Sequence, residues 1–261
     1  MTHDFSGKVA AVTGSSGIGL GAALHLARAG ARVFLAGIDA GLNSKAADLA
    51  AGEGLAISLH QVDVADEASV RGWADTIAGE TNVLHALVNA AGQQTYGTVE
   101  DTSPTDWDHC LAVNLRSCYL TSHLLYPLLK AAGGASVVHV ASVQGHNNQH
   151  KVLAYATSKG AVHAMTRAMA MDCAKDLVRV NSVSPGSIRT PLLEYGAGQL
   201  AGPGQTVDDM IAEFGKSHPI GRVGTTEETG SLISYLCSDE AGFITGTDLR
   251  IDGGLTAKLC V

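Results

Sequence analysis

Three residues stand out for the chemistry they could do together: Ser142, Tyr155 and Lys159. Tyr155-Ala156-Thr157-Ser158-Lys159 sets a phenol and an ammonium four positions apart, on one face of an expected helix. Ser142 follows an apolar run and precedes Tyr155 by thirteen residues. Oxidising an alcohol requires a base for the hydroxyl proton as hydride leaves carbon. Free tyrosine, with a pKa near 10, is a poor base at neutral pH. A neighbouring ammonium favours the phenolate, and a serine hydroxyl can hold the reacting oxygen within reach. By itself the Tyr–Lys pair also describes a half-exposed helix face, so its weight depends on its setting.

That setting includes a glycine-rich turn. Thr13-Gly14-Ser15-Ser16-Gly17-Ile18-Gly19 lies between a first apolar run and a first expected helix. Glycines there let the backbone approach a pyrophosphate, and the helix start offers free N–H groups and a positive dipole end. The end of the second run reads Ala36-Gly37-Ile38-Asp39, with no Arg or Lys in it or in the glycine turn. Without a cation for a 2′-phosphate, NAD is expected over NADP, which is not excluded. Asp39 is a candidate for the adenosine ribose and equally a candidate helix-start residue.

The elements that must position these groups alternate. Apolar runs at 8–12, 31–36, 55–62, 84–88, 136–141, 178–183 and 247–251 read as strands. Helical stretches are expected at 20–29, 42–51, 67–78, from Pro104 to about 131, at 154–175 and at 226–237, with Pro127 marking a kink or early stop. Runs such as Val137-Val138-His139-Val140-Ala141 are continuously apolar, as in strands buried on both faces. The expected fold is α/β: a doubly wound, mostly parallel seven-stranded sheet with helices on both faces, spanning 1–261 as one domain. Residues 189–219, broken by Gly196, Gly198, Gly202, Pro203 and Gly204, are expected as a mobile lid.

Composition narrows the partners. Glycine accounts for 31 of 261 residues with no collagen period, so these glycines serve turns, close packing and ligand loops. The net charge of −8 disfavours nucleic acid or an anionic membrane as principal partner, leaving a small-molecule substrate. Cys110, Cys118, Cys173, Cys237 and Cys260 are odd in number and widely spaced, as expected of free thiols in a reducing compartment. The first residues lack the layout of a signal peptide, and a cytoplasmic location is expected.

Thr13-Gly14 with Gly17-Ile18-Gly19, Asn89-Ala90-Ala91-Gly92, Ser142, Tyr155-x-x-x-Lys159 and Pro185-Gly186 occur in one order along the chain. In this the sequence resembles the short-chain dehydrogenase/reductase family, nearly end to end. The resemblance implies a Rossmann-type sheet, a nicotinamide dinucleotide cofactor and a homotetramer or homodimer. It implies Tyr155 as acid/base, Ser142 as the substrate-orienting hydroxyl, and Lys159 as ligand of the nicotinamide ribose that lowers the Tyr155 pKa. Asn114 matches the position that kinks a helix and holds a water in the proton relay. Gly14, Ser16, Gly17, Ile18 and Gly19 would hold the phosphates, Asp63 and Val64 the adenine, and Asn89, Ala90 and Gly92 the turn beside the cofactor. Pro185, Gly186, Ile188 and Thr190 match the stretch against the carboxamide. Two departures stand out: Gly14 and Gly17 are separated by two residues where the family usually has three, and Gly37 occupies the strand-two acidic position.

Substrate contacts are expected from Gln93, Gln144, Gln149 and Glu194, in segments richer in amides and imidazoles than in aromatics. That lining suits a sugar, sugar acid or polyol. His146 and His150 are four apart but have no third ligand nearby in sequence, so no metal is expected. The function expected is hydride transfer between a nicotinamide cofactor and a secondary alcohol or ketone. The competing reading is a dinucleotide-binding redox sensor or scaffold with little turnover.

Overall fold

Each apolar run becomes a parallel strand because a helix follows it and returns the chain along the sheet. In the computed structural model, which describes residues 3–259, the strands are β1 (Val9–Thr13), β2 (Arg32–Gly37), β3 (Ile57–Gln61), β4 (Ala86–Asn89), β5 (Ala135–Val140), β6 (Val178–Pro185) and β7 (Asp248–Ile251). Their order is β3-β2-β1-β4-β5-β6-β7, with every pair parallel. The chain winds outward from β1 to β3, then crosses back to lay β4 on the other side of β1. The crevice at that reversal, above the strands' C-terminal ends, is where such sheets bind ligands.

The helices are α1 (Gly17–Arg28), α2 (Ala40–Gly52), α3 (Glu67–Glu80), α4 (Pro104–Leu111), α5 (Ser117–Ala131), α6 (Leu153–Cys173), α7 (Pro191–Leu200), α8 (Val207–Ser217) and α9 (Thr226–Cys237). On one face Leu26 of α1 and Ile233 and Leu236 of α9 pack on β1, β2 and β5. On the other, Val70 and Ile77 of α3, Leu125 and Leu129 of α5 and Ala170 of α6 cover the sheet. Each such aliphatic side chain contributes about 1.5–3 kcal/mol by leaving water. The contact of α1 with α9 depends on missing side chains: a Cβ on Gly21 would lie 2.6 Å from the Thr226 carbonyl, and one on Gly230 2.7 Å from the Gly21 carbonyl.

One expectation changes here, and one segment gains detail. Pro127 neither stops nor ends its helix, since α5 continues to Ala131 before Gly133 turns the chain at φ +65°. The 189–219 segment holds two helices, each with its own start signal: the Thr190 side chain caps α7, and Thr206 with Asp209 forms a capping box on α8. Cys110, Cys118, Cys173 and Cys237 are free and buried; Cys260 lies outside the described residues. No described helix is long and apolar enough to cross a membrane.

Candidate active site

At the head of α1, backbone replaces side chains. Gly14 takes φ +95°, and a Cβ there would lie 3.3 Å from the backbone of Ala90 and Ala91. A Cβ on Gly19 would collide with the Gly14 carbonyl, and one on Gly17 (φ +53°) would lie 3.0 Å from the Thr190 methyl. Helices α2, α3, α4, α7, α8 and α9 each begin on a capping side chain, whereas Ser16 makes no such bond to α1. The first-turn amides of α1 therefore face the crevice without a side-chain partner, as a pyrophosphate would require.

The two departures from the family pattern are one packing event. In the shortened turn the buried Ser15 hydroxyl occupies the space where a side chain at position 37 would begin, beside the Asn43 amide, and a Cβ on Gly37 would collide with both. Asn43 Nδ2 donates to the Gly37 carbonyl at 2.9 Å. Asp39 accepts from Leu42 N at 2.8 Å and is the N-cap of α2. Asp63 accepts from Ala65 N, and Val64 is buried in the core. Neither lines the central cavity, nor does Asp39.

The central cavity, about 560 Å³, runs from the glycine turn past the end of β5 to α7 and α8. Gly14, Ser16, Gly17, Ile18, Ala90 and Gly92 line one end. Ser142, Tyr155 and Lys159 line its middle, with Pro185, Gly186, Ile188 and Thr190 opposite. Ser142 follows β5 and accepts from Gln144 N at 3.1 Å, fixing the short 3₁₀ turn Val143–Gly145. Tyr155 and Lys159 lie on successive turns of α6 and are almost wholly buried.

Burial pushes the Tyr155 phenol up to about 12, against a downward pull from the neighbouring Ser142 hydroxyl. The Lys159 ammonium donates to the Val140 carbonyl at 2.8 Å and lies 5.6 Å from the Tyr155 ring centroid. Its own pKa is lowered by desolvation.

Asn114 sits in a π-turn, Ala112–Arg116, between α4 and α5. Its Oδ1 accepts from Gln93 N at 2.8 Å, while its Nδ2 donates to the Gln93 carbonyl at 2.9 Å and to Ser158 Oγ at 3.1 Å. Ser158 Oγ in turn donates to the Tyr155 carbonyl at 2.6 Å. Gly92 permits this convergence, since a Cβ there would be 3.3 Å from Asn114 Oδ1 and 3.6 Å from Lys159 Nζ.

Asn89 is buried beneath the turn rather than exposed to the cavity. Its Oδ1 accepts from Thr121 Oγ1 at 2.7 Å, so its Nδ2 faces His139 Nδ1 at 3.1 Å. Burial drives the His139 pKa down to about 4.

Of the residues expected to meet substrate, Gln144 and Gln149 line the cavity and Gln93 and Glu194 do not. The Gln93 backbone is held by Asn114 while its side-chain Nε2 is buried without a hydrogen-bond partner, and Glu194 pairs with Arg189 at 3.6 Å. The wall instead takes Gln94, Tyr96, Asn147 and Asn148, together with Leu192, Leu193, Leu200 and Phe214 of the helical segment. His218, also lining it, accepts from Ser187 N at 3.1 Å and bonds the Phe214 carbonyl at 2.8 Å, tying α8 to the end of β6. The Leu and Phe positions were legible as apolar spots in a capped helix, whereas the His218 contact joins distant segments and left no local signal.

Comparison with known proteins agrees with this geometry. Residues 12–256 match a family model described as enoyl-(acyl carrier protein) reductase. The chain is 37% identical over 262 residues to an NADP-dependent (R)-specific alcohol dehydrogenase of Lentilactobacillus kefiri, covering 99% of this chain and 100% of that one. It superposes with TM-score 0.88 on a short-chain type dehydrogenase/reductase from Mycobacterium marinum, at 35% identity and 98% coverage of both chains. The L-sorbose reductase of Gluconobacter frateurii, solved with NADPH and L-sorbose, gives TM-score 0.93 at 28% identity, covering 99% of this chain and 100% of that one. With the glycine turn at the sheet's reversal and Ser142, Tyr155 and Lys159 meeting in one cavity, the chain belongs to the short-chain dehydrogenase/reductase family.

Proposed function

We propose that this protein interconverts a hydroxyl-rich secondary alcohol (a sugar, sugar acid or polyol) and its ketone, using NAD. The convergence of Ser142, Tyr155 and Lys159 on one cavity beside the uncapped start of α1 carries this reading. A bound nicotinamide dinucleotide supplies the hydride acceptor or donor. Tyr155 Oη takes the proton from the substrate hydroxyl during oxidation and returns it during reduction. Ser142 Oγ donates to the reacting oxygen and orients it toward Tyr155. Lys159, whose Nζ donates to the Val140 carbonyl, would hold the nicotinamide ribose and bring its charge to bear on the phenol. Asn114 and the Gln93 backbone hold the relay behind them. By the family resemblance Asp63 and Val64 would lie on the adenine side, outside the central cavity.

Amides support the substrate class: Gln94, Gln144, Asn147, Asn148 and Gln149 face the cavity, and Gln144 Oε1 is buried without a partner. A substrate hydroxyl would satisfy that oxygen, whereas a purely apolar alcohol would leave it unpaired, at about 1–3 kcal/mol. NAD is supported by the surroundings of Gly37. Ile38 there is exposed, no Arg or Lys occurs in 13–19 or 36–41, and the Asp39 carboxylate heads α2. The Lentilactobacillus relative is NADP-dependent by name, so the choice has to be measured.

Initial rates with a panel of polyols, sugars, sugar acids and simple alcohols, each with NAD and with NADP, test the reading. A higher kcat/KM for polyhydroxylated substrates with NAD is expected. Turnover confined to apolar alcohols overturns the substrate class, and a preference for NADP overturns the cofactor choice. Tight cofactor binding with no turnover on any substrate would assign the sensor role instead.

A further inference from the structure

Behind the loop that carries Ser142, three residues from distant parts of the chain meet. His146 follows the 3₁₀ turn Val143–Gly145, His163 lies on α6 one turn beyond Lys159, and Asp248 begins β7. His146 Nε2 lies 2.8 Å from Asp248 Oδ2, and His163 Nε2 lies 3.4 Å from Asp248 Oδ1. The two imidazoles stack, with centroids 4.1 Å apart and planes at 21°, so both present Nε2 to the same carboxylate. One ligand atom from each of the three falls within 4.8 Å of the others.

We propose that His146 Nε2, His163 Nε2 and the Asp248 carboxylate form a binding site for a divalent transition ion of the zinc class. Two imidazoles and a carboxylate suit such an ion, with water as fourth ligand. Tetrahedral ligands about 2.0–2.1 Å from a metal stand about 3.3 Å apart. His163 Nε2 stands 3.4 Å from Asp248 Oδ1, close to that value, and the 2.8 Å between His146 Nε2 and Asp248 Oδ2 needs to open by roughly half an ångström.

The carboxylate is braced for the role. Asp248 Oδ1 accepts from Ser182 Oγ at 2.7 Å and from Ser184 Oγ at 2.9 Å, fixing its plane and leaving Oδ2 toward His146. Such outer hydrogen bonds orient metal ligands. His163 is buried with its Nε2 also 2.9 Å from Ser184 Oγ, and a bare Gly145 lets the loop close on its ring, where a Cβ would be 2.9 Å from Nδ1. On binding, the metal replaces any proton on each Nε2. A neutral ring keeps its one proton on Nδ1.

Along the sequence His146 has only His150 nearby; the fold supplies two other ligands, from α6 and β7. The ion would tie the end of the Ser142 loop to both elements. This is a clamp on the catalytic loop, outside the hydride-transfer machinery.

The test uses tag-free, chelator-treated protein titrated with Zn²⁺ by calorimetry and with Co²⁺ by visible absorption. One equivalent per chain is expected, with a higher melting temperature and a cobalt spectrum lacking thiolate charge-transfer bands. His146→Asn should weaken binding at least tenfold and abolish the thermal shift, with the metal-free fold and turnover retained, because His146 is exposed. Asp248→Asn should also weaken binding, whereas His150→Ala should bind as the parent does. Absent binding at 100 µM metal, equal affinity in His146→Asn, or a thiolate cobalt spectrum would each overturn the site.

Discussion

Tyr155 shows how much of a catalytic residue's behaviour lies in its surroundings. Burial holds the free phenol up to about 12, and the Lys159 ammonium is engaged on the Val140 carbonyl rather than directed at it. At neutral pH the phenol is therefore protonated, the form that donates to a ketone. Oxidation needs the phenolate, whose fraction rises tenfold per pH unit below its pKa, and reduction needs the phenol. Hence kcat/KM for alcohol oxidation should climb with pH from neutrality into the alkaline range while that for ketone reduction stays level and then falls. The bound cofactor's positive charge sets where the climb ends, below the value of the free protein. Tyr155→Phe should lower turnover by about 10²–10⁴-fold, the worth of a general acid/base, with cofactor affinity retained by fluorescence titration. A pH-independent oxidation rate, or an active phenylalanine variant, would remove Tyr155 from this role.

At the scale of elements, the π-turn at Ala112–Arg116 explains how one amide reaches three partners. Widening the helix by one residue brings Asn114 inward, where it holds both backbone groups of Gln93 and the Ser158 hydroxyl. Asn114→Ala removes the partner of both Gln93 backbone groups in a part-buried place, while Ser158 keeps its bond to the Tyr155 carbonyl, so a loss of about 1–3 kcal/mol in urea denaturation is expected together with reduced kcat. Unchanged stability and unchanged kcat would refute the anchoring role. Strand runs, the glycine turn and the Tyr–Lys spacing were legible because each is a local pattern. The resemblance implied a kink at Asn114, but periodicity near 3.6 does not register the one inserted residue that makes it a π-turn, and no early stop occurs at Pro127, since α5 runs on to Ala131. Gly37 and the shortened glycine turn looked like separate irregularities. Only with β1 and β2 side by side is it plain that Ser15 fills the space above Gly37. Gln93 and Glu194 were placed near substrate from their loop positions; that the Gln93 backbone is held by Asn114 and that Glu194 pairs with Arg189 depends on packing and had no local signal.

For the whole molecule, the strand reversal between β1 and β4 places the cavity, and the opposite ends of the strands present a different surface. There Leu177, after α6, lines a cleft of about 400 Å³ with Gly242 and Thr245, and Phe243 between those two residues is fully exposed. Met171, near the end of α6, is 80% exposed. Single exposed apolar side chains are ordinary on a soluble monomer, but an aromatic with no cover beside Leu177 marks a surface that gains from association. With a net charge of −8 spread over the chain, a second copy meets that patch by burying apolar area rather than by charge attraction. The family resemblance implies a homotetramer or homodimer, and we propose that this patch contributes to one interface. Light scattering after size exclusion should give two or four chain masses at micromolar concentration. Phe243→Ser should shift the distribution toward smaller species, while far-UV circular dichroism stays unchanged because the side chain makes no part of either core cluster. A wild-type mass of one chain, or an assembly indifferent to Phe243→Ser, would show that this surface has no part in association.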